Sequence, residues 1–235
     1  MVLNPNTRKY VLWYNWYPKL WDGQTGVALS DTPVGPFTIV NSNVHLSKSH
    51  SGDGSLFVDD DGTGYFIYTS IDEDHTVCVE RLKPDYLGST GETSGNIVRY
   101  AEAPLLFRQK NIYHALCASL CMACTNGSGV SYYTATSPLG PYTMQSLTNG
   151  NSREYSLNIP AQETWVTRIP TSEGPVFIWM ADCWGSSADG VNGHDLQYWT
   201  PLEFSPDGEI LPIRVPRIPK PFHFAMGVQP ESHSK

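Results

Sequence analysis

Long apolar runs are absent from this sequence, and no stretch of about 18 apolar residues is present that could cross a bilayer as a helix. Positive charge is also scarce: 15 Lys and Arg stand against 23 Asp and Glu, a formal net charge of −8. Because no basic run is available to neutralise phosphates, we expect neither nucleic acid nor a membrane as a partner. Only 16% of residues are charged and 40% are hydrophobic, which indicates a folded chain with a core.

Cysteine is sparse, and its five copies do not form a metal-binding pattern. Cys121 and Cys124 have the spacing of half a zinc site, but no second Cys or His pair at zinc spacing follows them. A local disulfide or two packed thiols is the simpler interpretation, and the odd count leaves at least one thiol free or paired outside the chain. We therefore expect no metal and no cofactor. The residues after Met1 predict a strand end and a turn rather than a signal peptide.

Helical periodicity is missing as well, and 18 Pro and 20 Gly disfavour long helices. What recurs instead is a unit of about fifty residues. Residues 30–38 and 136–143 share their Pro, Gly, Pro, aromatic and Thr positions, two periods apart. An apolar run, a polar turn and an aromatic-rich run also recur four times, as expected for strands joined by tight hairpins. These four runs lie at residues 2–13, 55–68, 105–116 and 165–179.

Four such units predict the blades of an all-β propeller, each a small antiparallel sheet. A β-sandwich is the structural alternative. The repeat places the blades at roughly 1–48, 49–98, 99–155 and 156–220 of a single domain, with 221–235 as a C-terminal tail.

Three polar side chains stand at equivalent places near the starts of blades: Asp53, Glu102 and Gln162. Each precedes the first apolar strand of its repeat, which is the innermost strand of a propeller blade, so we expect the three to converge on one mouth of the channel. A lone Asp or Glu there is more often a cap or a solvated residue. Convergent carboxylates, however, are what glycoside hydrolysis needs. Pro104 predicts an extended backbone at Ala103, directly after Glu102.

Residues 179–199 form the longest stretch rich in polar, aromatic and glycine residues. This composition predicts a shaped loop whose aromatic faces pack against a ligand, although a long blade connection with buried Trp is an equal alternative. The candidate substrate contacts are Asp182, Trp184, Asp195, Tyr198 and Trp199.

Residues 53–62 and 102–107, together with the motif at 30–37, resemble glycoside hydrolase family 43, the five-bladed propeller glycosidases. Within this family, the sequence most resembles the branch of exo-β-1,3-galactanases. The residues that carry this resemblance are 161–166, 179–184 and 194–204. The resemblance covers nearly the whole chain. It implies a secreted, extracellular enzyme, a monomer, that hydrolyses β-1,3-galactan or a related plant polysaccharide or oligosaccharide with inversion.

The resemblance also implies roles for the three converging residues. Glu102 matches the general acid, and Asp53 matches the carboxylate that orients this acid and raises its pKa, because a nearby like charge disfavours ionisation. Gln162 matches the amide that takes the place of the general base in the galactanase branch.

Two departures from the family qualify this interpretation. The family has five blades and the repeat accounts for four, so we expect the first blade to be missing, as in a fragment; a divergent, non-catalytic protein is the alternative. Cys183 stands where the branch has Arg, and residues 13–18 contain no acid where the branch has a carboxylate. An α-L-arabinofuranosidase or β-xylosidase of the same family, or a non-catalytic carbohydrate-binding propeller, stays open as an alternative function.

Overall fold

The structure is a computed structural model, and it describes residues 1–119, 128–145, 159 and 161–213. In these ranges every regular element is a strand except one short 3-10 helix at Asn192–His194. The all-β fold predicted from the sequence is therefore confirmed. None of the described helical segments is long and apolar enough to cross a membrane. Cys121, Cys124 and the predicted tail at 221–235 lie outside the described residues.

The strands form four antiparallel sheets, each built from strands that follow one another in the chain. The first sheet contains β1 (Val2–Leu3), β2 (Tyr10–Trp16), β3 (Gln24–Ser30) and β4 (Thr38–Asn41). The second contains β5 (Ser51–Val58), β6 (Gly64–Ser70), β7 (Thr76–Leu82) and β8 (Ser89–Thr93). The third contains β9 (Ala101–Gln109), β10 (Ile112–Ser119), β11 (Ser131–Ala135) and β12 (Thr143–Gln145). The fourth contains β13 (Gln162–Ile169), β14 (Val176–Cys183) and β15 (Leu196–Pro201).

The first strands of the sheets lie side by side around a common axis. Strand β9 packs between β5 and β13, and β1 packs beside β5. This is the arrangement of propeller blades, and it confirms about four blades of a propeller. Each sheet lies inside one of the four ranges expected from the repeat; the assignment of the whole chain to one domain stays a prediction.

The two copies of the Pro-Gly-Pro turn adopt the same conformation. Gly35 and Gly140 both have a φ of +84°, which an L side chain rarely adopts. The amide of Gly35 donates to the carbonyl of Thr32 at 3.2 Å, and that of Gly140 donates to the carbonyl of Ser137 at 2.9 Å. The recurring sequence thus encodes a recurring turn between the third and fourth strands of a blade.

Three apolar clusters fill the spaces between adjacent blades. Between the first and second blades, the indole N–H of Trp13 donates to the carbonyl of Tyr86 at 2.8 Å. Between the third and fourth blades, Leu116 and Trp179 are fully buried. The alternating inward residues of each strand supply these clusters, because successive side chains of a strand point to opposite faces.

We expect Leu116→Ala to lower the free energy of unfolding by about 2–5 kcal/mol, because it leaves a cavity between two blades. The matched control is Leu20→Ala, since the side chain of Leu20 is 82% exposed; it should change stability by less than about 0.5 kcal/mol. Urea unfolding followed by tryptophan fluorescence measures both. Equal losses in the two variants would show that the interblade cluster does not stabilise the fold.

Candidate active site

A pocket of about 200 Å³ opens where the inner strands begin, and residues of all four blades line it. The structure brings Asp53, Glu102 and Gln162 together here, as the repeat argument expected, and adds Trp184, which directly follows β14 at the start of the long loop. The remaining lining residues are Tyr17, Trp21, Gly52, Thr69, Ile71 and His75.

Three of the four inner strands, β5, β9 and β13, gain one extra residue beside a site residue. On β5 the register shifts between Ser51 and Gly54, on either side of Asp53. The register of β9 shifts just after Glu102, and that of β13 shifts just after Glu163. Such bulges bend a strand and redirect its side chains. They therefore change the direction of the strand starts at the mouth of the channel.

Asp53 links the second blade to the third. Its Oδ2 accepts a hydrogen bond from the amide of Ala103 at 3.2 Å, and the hydroxyl of Ser55 donates to the carbonyl of Pro104 at 3.0 Å. Ala103 has a φ of +46°, so the extended backbone expected before Pro104 is wrong. The bulge in β9 and the bond to Asp53 hold this left-handed conformation, which places the Asp53 carboxylate beside Glu102.

Glu102 is the partly buried carboxyl of the pocket, with a side chain that is 15% exposed. Burial raises its pKa above the ordinary value, and the negative charge of Asp53 raises it further. His75, whose Nδ1 lies 2.9 Å from Oε1 of Glu102, acts in the opposite direction. A carboxyl that keeps its proton to higher pH suits the role of a general acid.

Gln162 is buried and its amide orientation follows from one neighbour. The indole N–H of Trp184 donates to Oε1 of Gln162 at 2.7 Å. Because an indole nitrogen can only donate, the atom that faces it must be the amide oxygen, and the NH₂ group points away from Trp184. The loop that carries Trp184 thus positions the amide that matches the base.

The other candidate substrate contacts do not line this pocket. Asp195 accepts hydrogen bonds from the backbone amides of Gly185 at 3.0 Å and Ser187 at 2.9 Å, so it shapes the loop after Trp184. Asp182 accepts a hydrogen bond from the side chain of Gln197. On β15, Tyr198 packs edge-on against Trp179, and Trp199 is 52% exposed.

Tyr17, Trp21 and His75 line the pocket although no sequence pattern singled them out. Burial raises the pKa of Tyr17, and the charges of Asp53 and Glu102 add to this effect. Tyr17 and Trp21 follow β2, whereas His75 lies in the turn before β7. The aromatic run at 13–21 and the polar turn at 72–75 were the sequence signals that could have pointed to these residues. Only the arrangement of the blades places the two segments at the same mouth of the channel.

No group of three or more His, Cys, Asp or Glu side chains in the ranges that the structure describes is arranged to hold a metal ion. Cys78, Cys117 and Cys183 are free thiols.

The family model for glycosyl hydrolases family 43 matches residues 3–208. The chain belongs to this family. Family membership agrees with the arrangement of the sheets as propeller blades.

Two relatives and one solved structure show how the family relation extends. The chain is 34% identical over 142 residues to a β-D-galactofuranosidase of Aspergillus niger. This match covers 54% of this chain and 38% of that protein. It is 27% identical over 152 residues to an arabinoxylan arabinofuranohydrolase of Bacillus subtilis, over 52% of this chain and 28% of that protein. An exo-β-1,3-galactanase from Clostridium thermocellum superposes with a TM-score of 0.74 at 25% identity, over 89% of this chain and 47% of that one. These matches thus span less than half the length of each of the three proteins.

Glu163, next to Gln162 on β13, is a buried carboxyl outside the pocket. Glu163 is only 1% exposed, and neither of its carboxyl oxygens has a hydrogen-bond partner among the residues that the structure describes. Burial raises its pKa well above the ordinary value. The folded protein therefore retains a proton that the unfolded chain releases above pH 4.3 or so, and stability falls as the pH rises from there toward the folded-state pKa.

Between pH 5 and pH 8, we expect the free energy of unfolding to fall less in Glu163→Gln than in the wild type, because an amide does not titrate. The difference between the two decreases should be at least about 1 kcal/mol. Urea unfolding at both pH values measures the difference. Glu173→Gln is the matched control, since Glu173 is exposed in a turn. If Glu163→Gln and the control show the same pH dependence, Glu163 is not held in the protonated form.

Proposed function

We propose that this chain is the catalytic portion of an inverting glycoside hydrolase that releases single sugars from β-1,3-galactan or a related plant polysaccharide. The observation that carries the proposal is the partly buried Glu102, whose pKa is raised, beside Asp53 in one small pocket. The likeness to an exo-β-1,3-galactanase supports the choice of substrate. We extend the proposal to an extracellular location, where such polysaccharides occur.

In the proposed reaction, Glu102 gives its proton to the glycosidic oxygen as the bond to the anomeric carbon breaks. A water molecule attacks that carbon from the opposite face of the ring and then releases its proton to solvent. The negative charge of Asp53 favours the protonated form of Glu102 until the leaving oxygen takes the proton.

Gln162 acts at the position of the base by orienting the water, because a neutral amide is a poor proton acceptor. Its Oε1 already accepts the Trp184 hydrogen bond, and a carbonyl oxygen has a second lone pair for the water. Trp184 is thereby a positioning residue for Gln162.

A second candidate is a furanoside or xyloside specificity within the same family. The galactofuranosidase and the arabinofuranohydrolase among the relatives favour it. A comparison of kcat/KM on four aryl glycosides separates these activities. The four are the β-D-galactopyranoside, the β-D-galactofuranoside, the α-L-arabinofuranoside and the β-D-xyloside. Binding of galactan without release of any sugar would instead identify a carbohydrate-binding propeller.

We expect Glu102→Gln to lower kcat on galactan by about 10²–10⁴-fold, because the amide cannot give a proton to the leaving oxygen. Release of galactose by the purified variants measures this effect, and circular dichroism confirms folding. Glu173→Gln, an exposed Glu-to-Gln control, should keep wild-type activity. Full activity in Glu102→Gln would rule out Glu102 as the acid.

We expect Asp53→Asn to move the basic limb of kcat/KM to lower pH. The acid must be protonated, so activity is lost as the pH rises through its pKa. Removal of the Asp53 charge lowers the pKa of Glu102 and brings that loss to a lower pH. Asp31→Asn is the control, because the Asp31 side chain is 81% exposed. A basic limb unchanged from the wild type would contradict the electrostatic role of Asp53.

A further inference from the structure

His75 contacts the proposed acid directly, and the fold holds it there. It lies in the turn between β6 and β7, at a φ of +50°. The carbonyl of His75 accepts the amide of Ala101 at 3.1 Å, and the carbonyl of Asp74 accepts the amide of Tyr100 at 2.7 Å. These two bonds attach the turn to the start of β9, the strand that carries Glu102. The imidazole position is therefore built into the same backbone as the acid.

A ring contact restrains the imidazole further. The ring of Trp21 meets that of His75 edge-on, with centroids 6.2 Å apart at 75°. The side chain of His75 is 28% exposed, so part of the ring is covered. Backbone bonds on one side and an aromatic ring on the other leave Nδ1 directed at Oε1 of Glu102, 2.9 Å away.

We propose that His75 is a positioning residue for Glu102: its Nδ1–H donates to Oε1, so that Oε2 carries the proton toward the glycosidic oxygen. This inference rests on the proposed function. If the proton lay on Oε1 it would be donated to His75 instead of to the substrate. An imidazole that donates from Nδ1 thus selects the oxygen that delivers the proton, and its hydrogen bond restricts rotation of the carboxyl group.

The charged and titratable groups around Glu102 set the sign of the pH effect. Asp53 on β5 raises the pKa of Glu102, and His75 before β7 lowers it. The phenol of Tyr17, after β2, also lies close enough to sense both carboxylates. Arg99 contacts Asp74 at 3.5 Å on the exposed side of the turn. Loss of His75 should therefore raise the pKa of Glu102, opposite to the effect of Asp53→Asn.

The test compares His75→Phe, which keeps an aromatic ring against Trp21 and removes the hydrogen bond, with His75→Gln, which keeps a donor. We expect His75→Phe to lower kcat at least tenfold on galactan, whose leaving group needs a proton, with little change in KM. A 2,4-dinitrophenyl glycoside needs no protonation, so its hydrolysis should fall much less. The basic limb of kcat/KM should move to higher pH, and His75→Gln should restore part of the activity.

The matched control is His194→Phe. Nδ1 of His194 lies 2.8 Å from Oδ2 of Asp189, a similar pair on an exposed loop outside the pocket. This variant should keep the wild-type profile. If phenylalanine prevents folding, as judged by circular dichroism, His75→Ala provides the same measurements.

Direct titration of the Glu102 carboxyl by ¹³C NMR separates this inference from the proposed function. If the wild type hydrolyses no glycoside but the carboxyl pKa rises in His75→Phe, the proposed function fails and the contact with His75 still sets the protonation of Glu102. An unchanged titration, an unchanged basic limb, or equal losses on galactan and the dinitrophenyl substrate would overturn the role of His75.

Discussion

The geometry of the site depends on the hydrogen bond from the amide of Ala103 to the carboxylate of Asp53. It joins the inner strands of two blades at the point where β9 carries an extra residue, and it places two carboxylates in one small pocket. A left-handed backbone at an alanine costs about 1–2 kcal/mol. The interblade bond and the adjoining bond from Ser55 to Pro104 help to hold that conformation.

The protonation of Glu102 results from opposing influences on one carboxyl. Burial and Asp53 favour the protonated form, whereas His75 favours the ionised form. A group used as an acid near neutral pH needs a pKa near that pH. Burial and a like charge raise the pKa of Glu102 and one imidazole lowers it, so small changes in geometry shift this pKa. Burial also raises the pKa of Glu163, whose carboxyl oxygens have no hydrogen-bond partner in the described part of the chain, so this residue lowers stability above its unfolded-state pKa.

Different parts of the site were visible from the sequence to different degrees. Asp53, Glu102 and Gln162 could be placed together because they occupy equivalent points of a repeat, and equivalent points of propeller blades meet at the axis. His75 could not, since it lies in a turn between the two middle strands of its blade and reaches Glu102 only after the turn is bonded to β9. Asp195 looked like a substrate contact by composition, yet its carboxylate is used by backbone amides of its own loop.

The sequence by itself determined the all-β repeat, the approximate blade ranges and the convergence of three side chains, because these follow from periodicity and turn chemistry. Tertiary structure alone decided where the strands bulge, which atom of the Gln162 amide faces Trp184, and which residue contacts Glu102. These features depend on hydrogen bonds between segments that are distant in sequence and carry no local pattern. The backbone at Ala103 shows the difference most clearly: the following proline favours an extended conformation, and a bond from the neighbouring blade holds the left-handed one.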